Sequence, residues 1–75
     1  MYVTVHQIPE SSKSVVYISA QDGTILDEFE VAGSSRGYAG SNTDSKLEDL
    51  GFKRDGDWVK ATQESFTAPI IYDNL

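Results

Sequence analysis

Hydrophobic and polar residues alternate with a period of two in several stretches of the chain, and this alternation is its main structural signal. From Tyr2 to Ile8, Val3 and Val5 point to one side and Tyr2, Thr4 and His6 to the other, the pattern of a half-buried strand. Pro9 lacks the amide donor that a ladder needs and marks the end of this strand. Residues 15–20 and 25–31 alternate in the same way around Gln21-Asp22-Gly23-Thr24. Asp-Gly between two such runs predicts a tight hairpin of type I′, whose central residues both need positive φ. The expected register sets Ala20 opposite Ile25, Ile18 opposite Asp27 and Val16 opposite Phe29. One face then carries Val16, Ile18, Ala20, Ile25, Phe29 and Val31, with Asp27 as the odd member. The other carries Val15, Tyr17, Ser19, Leu26, Glu28 and Glu30.

Beyond the first hairpin the pattern changes. Gly33, Gly37 and Gly40 lie among polar neighbours and predict a flexible Gly/Ser loop over 33–42. A short helix is expected over Thr43–Leu50, capped by Asn42 or Thr43, with Leu47 and Leu50 facing inward and Gly51 as its stop. Phe52-Lys53-Arg54 and Trp58-Val59-Lys60-Ala61 flank Asp55-Gly56, a second Asp-Gly hairpin signal. That turn sets Phe52 opposite Val59 and Lys53 opposite Trp58. Pro69 confines the apolar run Phe66–Tyr72 to an edge strand or an extended tail, and 73–75 read as a frayed end. The expectation is one α+β domain over 1–75: a small antiparallel sheet of four to five strands, with two Asp-Gly hairpins and one short helix packed on one face. Its expected core is Val3, Val5, Val16, Ile18, Phe29, Leu47, Leu50, Phe52 and Val59.

Composition narrows what such a domain does. With 75 residues, the chain buries a shallow core, and a deep small-molecule cavity is not expected. There are no cysteines and one histidine, which excludes disulfides and Cys-based zinc sites; neither a metal nor a cofactor is expected. Twelve acidic residues against six basic ones give a net charge of −6. That balance opposes direct binding to nucleic acid, where Lys and Arg must neutralise phosphates. No stretch is long and apolar enough to span a bilayer, and the N-terminus does not read as a signal peptide, so a cytoplasmic protein with no membrane partner is expected.

No catalytic set stands out. His6 is the only side chain whose ordinary titration range is near neutral pH, but none of the many serines lies in a diagnostic context beside it. Asp27 and Glu28 are strand neighbours and face opposite ways, whereas Glu28 and Glu30 share a face. The glycine stretch 33–40 lacks the spacing of a phosphate loop. If it binds anything, Arg36 and Tyr38 are its anchors, because Arg and Tyr dominate interface hot spots. Trp58 is expected to be buried within the protein, with Lys53 over its ring.

These features favour a small acidic protein-binding module over an enzyme, with Tyr17, Glu28, Glu30, Arg36 and Tyr38 as partner-binding residues. One form of such a module is a phage or mobile-element inhibitor that occupies the basic groove of a nucleic-acid-handling protein. The alternative is a structural or assembly subunit that forms homo-oligomers by strand pairing; the sequence does not fix the oligomeric state.

Overall fold

The alternating segments fold as strands, and the stretch from Arg36 onward folds as a helix. The structure, a computed structural model, describes every residue except Pro9, Ser34, Ser35, Asn74 and Leu75, together with all side chains of the remainder but that of Arg36. Its elements are β1 (Tyr2–Gln7), β2 (Lys13–Ser19), β3 (Ile25–Ala32), α1 (Arg36–Asp49), β4 (Phe52–Arg54), β5 (Val59–Thr62) and β6 (Ser65–Tyr72). The strands form one antiparallel sheet in the order β3-β2-β1-β6, with β4 and β5 both on the outer edge of β6. Six strands thus fill five positions, and α1 packs on one face of the curled sheet. The fold is a small α+β domain, as the strand patterning predicts.

The core lies between the sheet and α1. Val3 and Val5 of β1, Val16 and Ile18 of β2, Val31 of β3 and Phe66, Ala68 and Ile70 of β6 face Ala39 and Leu47 of α1. Phe29, Phe52 and Trp58 are half-buried against this cluster. Leu50 is 40% exposed and Val59 60% exposed, so neither joins the core expected of them.

The first hairpin keeps its predicted register through Ile18↔Asp27, Tyr17↔Glu28 and Val16↔Phe29, then shifts so that Ser19 pairs with Ile25. The turn is not type I′, because in it only Gly23 has positive φ, at 94°. Gly23 N–H donates to Ala20 C=O, and Ala20 N–H to Thr24 C=O. This is a three-residue loop with glycine at the bulge position. Ile25, expected on the core face, is displaced to the solvent.

The expected loop over 33–42 is corrected: α1 begins at Arg36 and takes in Gly37, Gly40 and Asn42. Ser34 and Ser35 of that stretch lie outside the described residues, as do Pro9 and the last two residues of the expected frayed tail. Two glycines inside a helix cost about 1 kcal/mol each relative to alanine, so the helix rests on packing. Ala39, Thr43 and Leu47, spaced by four, are its buried stripe. The Thr43 hydroxyl donates to Ala39 C=O at 2.8 Å, which satisfies it inside the core. Asn42 and Thr43 are therefore interior helical residues rather than caps. Gly51, with φ at 88°, ends the helix as expected.

The second hairpin is also corrected. β4 and β5 do not pair with each other; each pairs with β6, at Phe52↔Tyr72 through Arg54↔Ile70 and at Val59↔Thr67 through Thr62↔Ser65. Pro69 explains the break. Ile70 N–H donates to Met1 C=O toward β1, while Pro69 C=O accepts from Asp55 N–H on the opposite edge. The donor that proline lacks therefore falls between the β5-paired and β4-paired stretches. Pro69 lies inside a strand flanked on both sides, not in the expected edge strand or tail. Gly56 passes over its ring, and a Cβ there would lie 2.9 Å from Pro69 Cγ.

Candidate functional site

α1 covers one face of the sheet, and no described element covers the other. Cross-strand register arranges that open face in rows. One row runs Glu28–Tyr17–Thr4–Thr67–Val59 across β3, β2, β1, β6 and β5. A second runs Glu30–Val15–His6–Ser65, and a third Ile25–Ser19–Tyr2–Pro69. Directly opposed residues have Cβ atoms roughly 5 Å apart, so each row is a line of touching side chains.

Three of the predicted partner-binding residues come together here. Glu28 stands directly opposite Tyr17, and Glu30 stands two residues along the same strand on the same face. Glu28 and Glu30 are exposed, while Tyr17 is half-buried. Arg36 and Tyr38 do not join them: both belong to α1, on the other side of the sheet. The exposed Tyr38 ring packs against Gly33, which the chain holds at φ 105°.

The open face also holds residues outside the expected partner-binding set, one of which, Ile25, was expected on the core side. Ile25 and Leu26 are 56% and 54% exposed, beside the exposed Tyr2 of the same end. The register shift at the end of the first hairpin brings Ile25 onto this face; its position in the alternation pointed inward. In the middle of the face, Thr67 Oγ1 donates to Val3 C=O at 2.9 Å and lies 3.2 Å from Thr4 Oγ1. These threonines are held in place rather than loosely solvated.

His6 stands opposite Val15 on one side and Ser65 on the other. The Ser65 hydroxyl lies 2.6 Å from Thr62 Oγ1, so it is engaged along the β5–β6 turn. A histidine base needs a third group to orient it, and among the described residues no hydrogen bond joins the His6 ring to a carboxylate. Nor do three or more His, Asp or Glu side chains gather as a metal site among the described residues.

A second cluster, on the helix side, is structural. Asp44 of α1 grips Arg54 of β4 with both oxygens, at 2.7 Å from Nε and 3.0 Å from Nη2. Arg54 Nη1 also donates to Gly56 C=O at 3.1 Å, and the guanidinium sits 5.1 Å from the Trp58 ring. Lys53, expected over that ring, instead pairs with Asp73 at 3.8 Å. Trp58 meets Phe66 edge to face at 4.9 Å and lies against Gly40, where a Cβ would be 3.2 Å from Nε1. The Asp44 hydrogen bonds hold the Arg54 pKa above its usual value, so the guanidinium stays charged. This bidentate pair fastens α1 to the end of β4, and the Gly56 bond ties in the segment that follows. Gly40 gives the indole its flat seat, a role that only the fold reveals.

No helix among the described residues is long and apolar enough to cross a membrane. Set against protein-family models, characterised proteins and solved structures, the chain matches none.

Proposed function

We propose that this domain is a protein-binding module that receives a basic partner on the open face of its sheet. The observation that carries this reading is the make-up of that face. Tyr17, Glu28 and Glu30 adjoin one another in register, and exposed Ile25, Leu26 and Tyr2 lie at the same end. Aromatic and aliphatic anchors rimmed by charge are the composition of a binding surface. An apolar patch on an otherwise solvated face is itself a mark of one. The carboxylates accelerate encounter with a positive surface and select its sign, while the tyrosines and aliphatic groups supply affinity.

The domain acts by occupying its partner. With a net charge of −6, its natural targets are proteins with basic grooves, among them nucleic-acid-handling proteins, which an acidic domain inhibits by filling the groove. Glu28 and Glu30 are about 7 Å apart along the strand from a rise of ~3.4 Å per residue. Mimicry of phosphates is thus electrostatic rather than atom for atom.

A photo-crosslinking residue at position 17, and separately at position 48 on the solvent side of α1, tests the reading in an extract of the native host. The expected result is one basic protein crosslinked from position 17 and not from 48, with the adduct lost in Glu28→Lys/Glu30→Lys. Equal labelling from both positions, or an adduct indifferent to the charge reversal, removes the open face as the binding surface.

A further inference from the structure

The sheet has one long edge. β3 runs for eight residues, and among the described residues no strand lies beyond it. Such an edge offers backbone donors and acceptors to any extended chain, including a second copy of this one.

Hydrogen bonds fix which residues of β3 address that edge. Gly33 N–H, just past the strand, donates to Ser12 C=O on the β2 side. Successive residues of a strand alternate in direction, so 27, 29 and 31 also address β2 while 28, 30 and 32 face outward. An added strand bonds these outward positions in succession, and two of them already have one backbone group engaged, the first donor and the last acceptor of the series. Glu28 N–H donates to Asp27 Oδ1 at 2.8 Å. Ala32 C=O accepts from Asn42 Nδ2 of α1 at 2.7 Å. The register shift beside Leu26 adds an irregularity at the remaining end.

We infer that Asp27 and Asn42 close the β3 edge against strand pairing with a second copy of this chain. This accounts for Asp27, the one acid whose place in the alternation belongs to the core-facing side. Its carboxylate turns to the edge and caps the next amide. Charge reinforces the closure. Two β3 strands paired antiparallel about Phe29 would set Glu28 opposite Glu30, a repulsive match. The inference stands apart from what docks on the open face, since it concerns backbone groups and not that surface.

Self-association of the whole chain is the test, measured by sedimentation from about 10 µM to 1 mM in ~0.5 M salt, where the screening length is roughly 4 Å and the glutamates no longer decide the outcome. Asp27→Ala/Asn42→Ala should associate at least tenfold more strongly than the unaltered chain. Asp27→Asn loses the charge but keeps an oxygen acceptor for Glu28 N–H, and should behave as the unaltered chain does. Glu30→Pro, added to the double variant, removes an outward donor and should restore the monomer. Circular dichroism establishes that each variant is folded. Asp27→Ala alone, at an exposed position, gives a smaller shift in the same direction if the double variant does not fold. The inference fails if the uncapped variants remain as monomeric as the unaltered chain. It also fails if Asp27→Asn associates as strongly as the double variant, or if Glu30→Pro leaves the association intact.

Discussion

The two faces of the sheet are made of alternate residues of the same strands, so each contrast between them is a contrast between neighbours in sequence. On the inner face Val3, Val5, Val16, Ile18, Phe66 and Ala68 are buried in one cluster with Ala39 and Leu47 of α1, and Trp58 packs on Phe66. On the outer face Thr4, Val15, Tyr17, Thr67 and the two glutamates meet solvent or one another. The inner face therefore carries the stability of the domain. The outer face is free to vary its chemistry, because burial there contributes little. A domain of this size has one core, and the proposed binding reading places the partner on the sheet face that this core does not use.

The sharpest way to break this division is at its centre. Phe66 is 2% exposed and holds the edge of Trp58, so Phe66→Ala should cost about 3–5 kcal/mol in chemical denaturation. That is a large share of the ~5–15 kcal/mol available to a typical domain. A loss below ~1 kcal/mol would mean that the inner face is not the stabilising one. Phe29, half-buried at the β3 end, is expected to cost less than Phe66 when truncated, since its ring retains solvent contact beside Lys46.

The two glycines of α1 sharpen the comparison within one element. A side chain at Gly40 runs into Trp58, whereas one at Gly37 meets nothing within 4 Å. Gly40→Leu should destabilise by about 1–3 kcal/mol through overpacking. Gly37→Ala should stabilise by about 0.5–1 kcal/mol through helix propensity. Thermal melts of the two variants should move in opposite directions, and a common direction would show that the indole does not seat on Gly40.

On the outer face the expected effects are small. Glu28→Lys/Glu30→Lys should change stability by less than about 0.5 kcal/mol, as surface substitutions do; a larger loss would show the face to be part of the core. The smallest effect is at the turn of the first hairpin. Asp22 Oδ1 accepts from Thr24 N–H at 3.0 Å, and this bond lowers the Asp22 pKa below 3.8. A depressed carboxyl pKa adds stability that is present above the unfolded pKa and is lost as pH falls through the folded one. Asp22→Ala should therefore narrow the difference between melts at neutral pH and at pH ~2, within the window set by the usual aspartate range. An unchanged difference would show that the turn bond contributes nothing.

Much of this division was legible in the residues themselves. The alternation around Val3–Val5 and Val16–Ile18 gave the inner face, and the turn at Asp22-Gly23 with its register from Val16 to Ile18 placed Tyr17, Glu28 and Glu30 together on the outer one. What escaped were features without a periodic apolar signature. The buried stripe of α1 is Ala39, Thr43 and Leu47, only one of which is strongly apolar, and its glycines read as a loop. Arg36 and Tyr38, assigned to that loop as anchors, consequently belong to the helix. Asp55-Gly56 carried a hairpin signal, but Phe52–Arg54 and Val59–Thr62 found a better partner in β6.

The sequence by itself determined β1, β2 and β3 from Asp27 onward, the hydrophobic side of each and the acidic balance, because side-chain alternation and charge are local properties that survive in any arrangement. Only the tertiary structure decided that β6 lies inside the sheet, that Pro69 splits its outer neighbour in two and that a glycine-bearing segment becomes helical against Trp58. It also decided that Asp27 faces an edge and not a core. Each of these depends on contacts between residues far apart in the chain, such as Met1 with Ile70 or Gly40 with Trp58. Local propensity worth about 1 kcal/mol per residue yields to such contacts once the chain has closed around them.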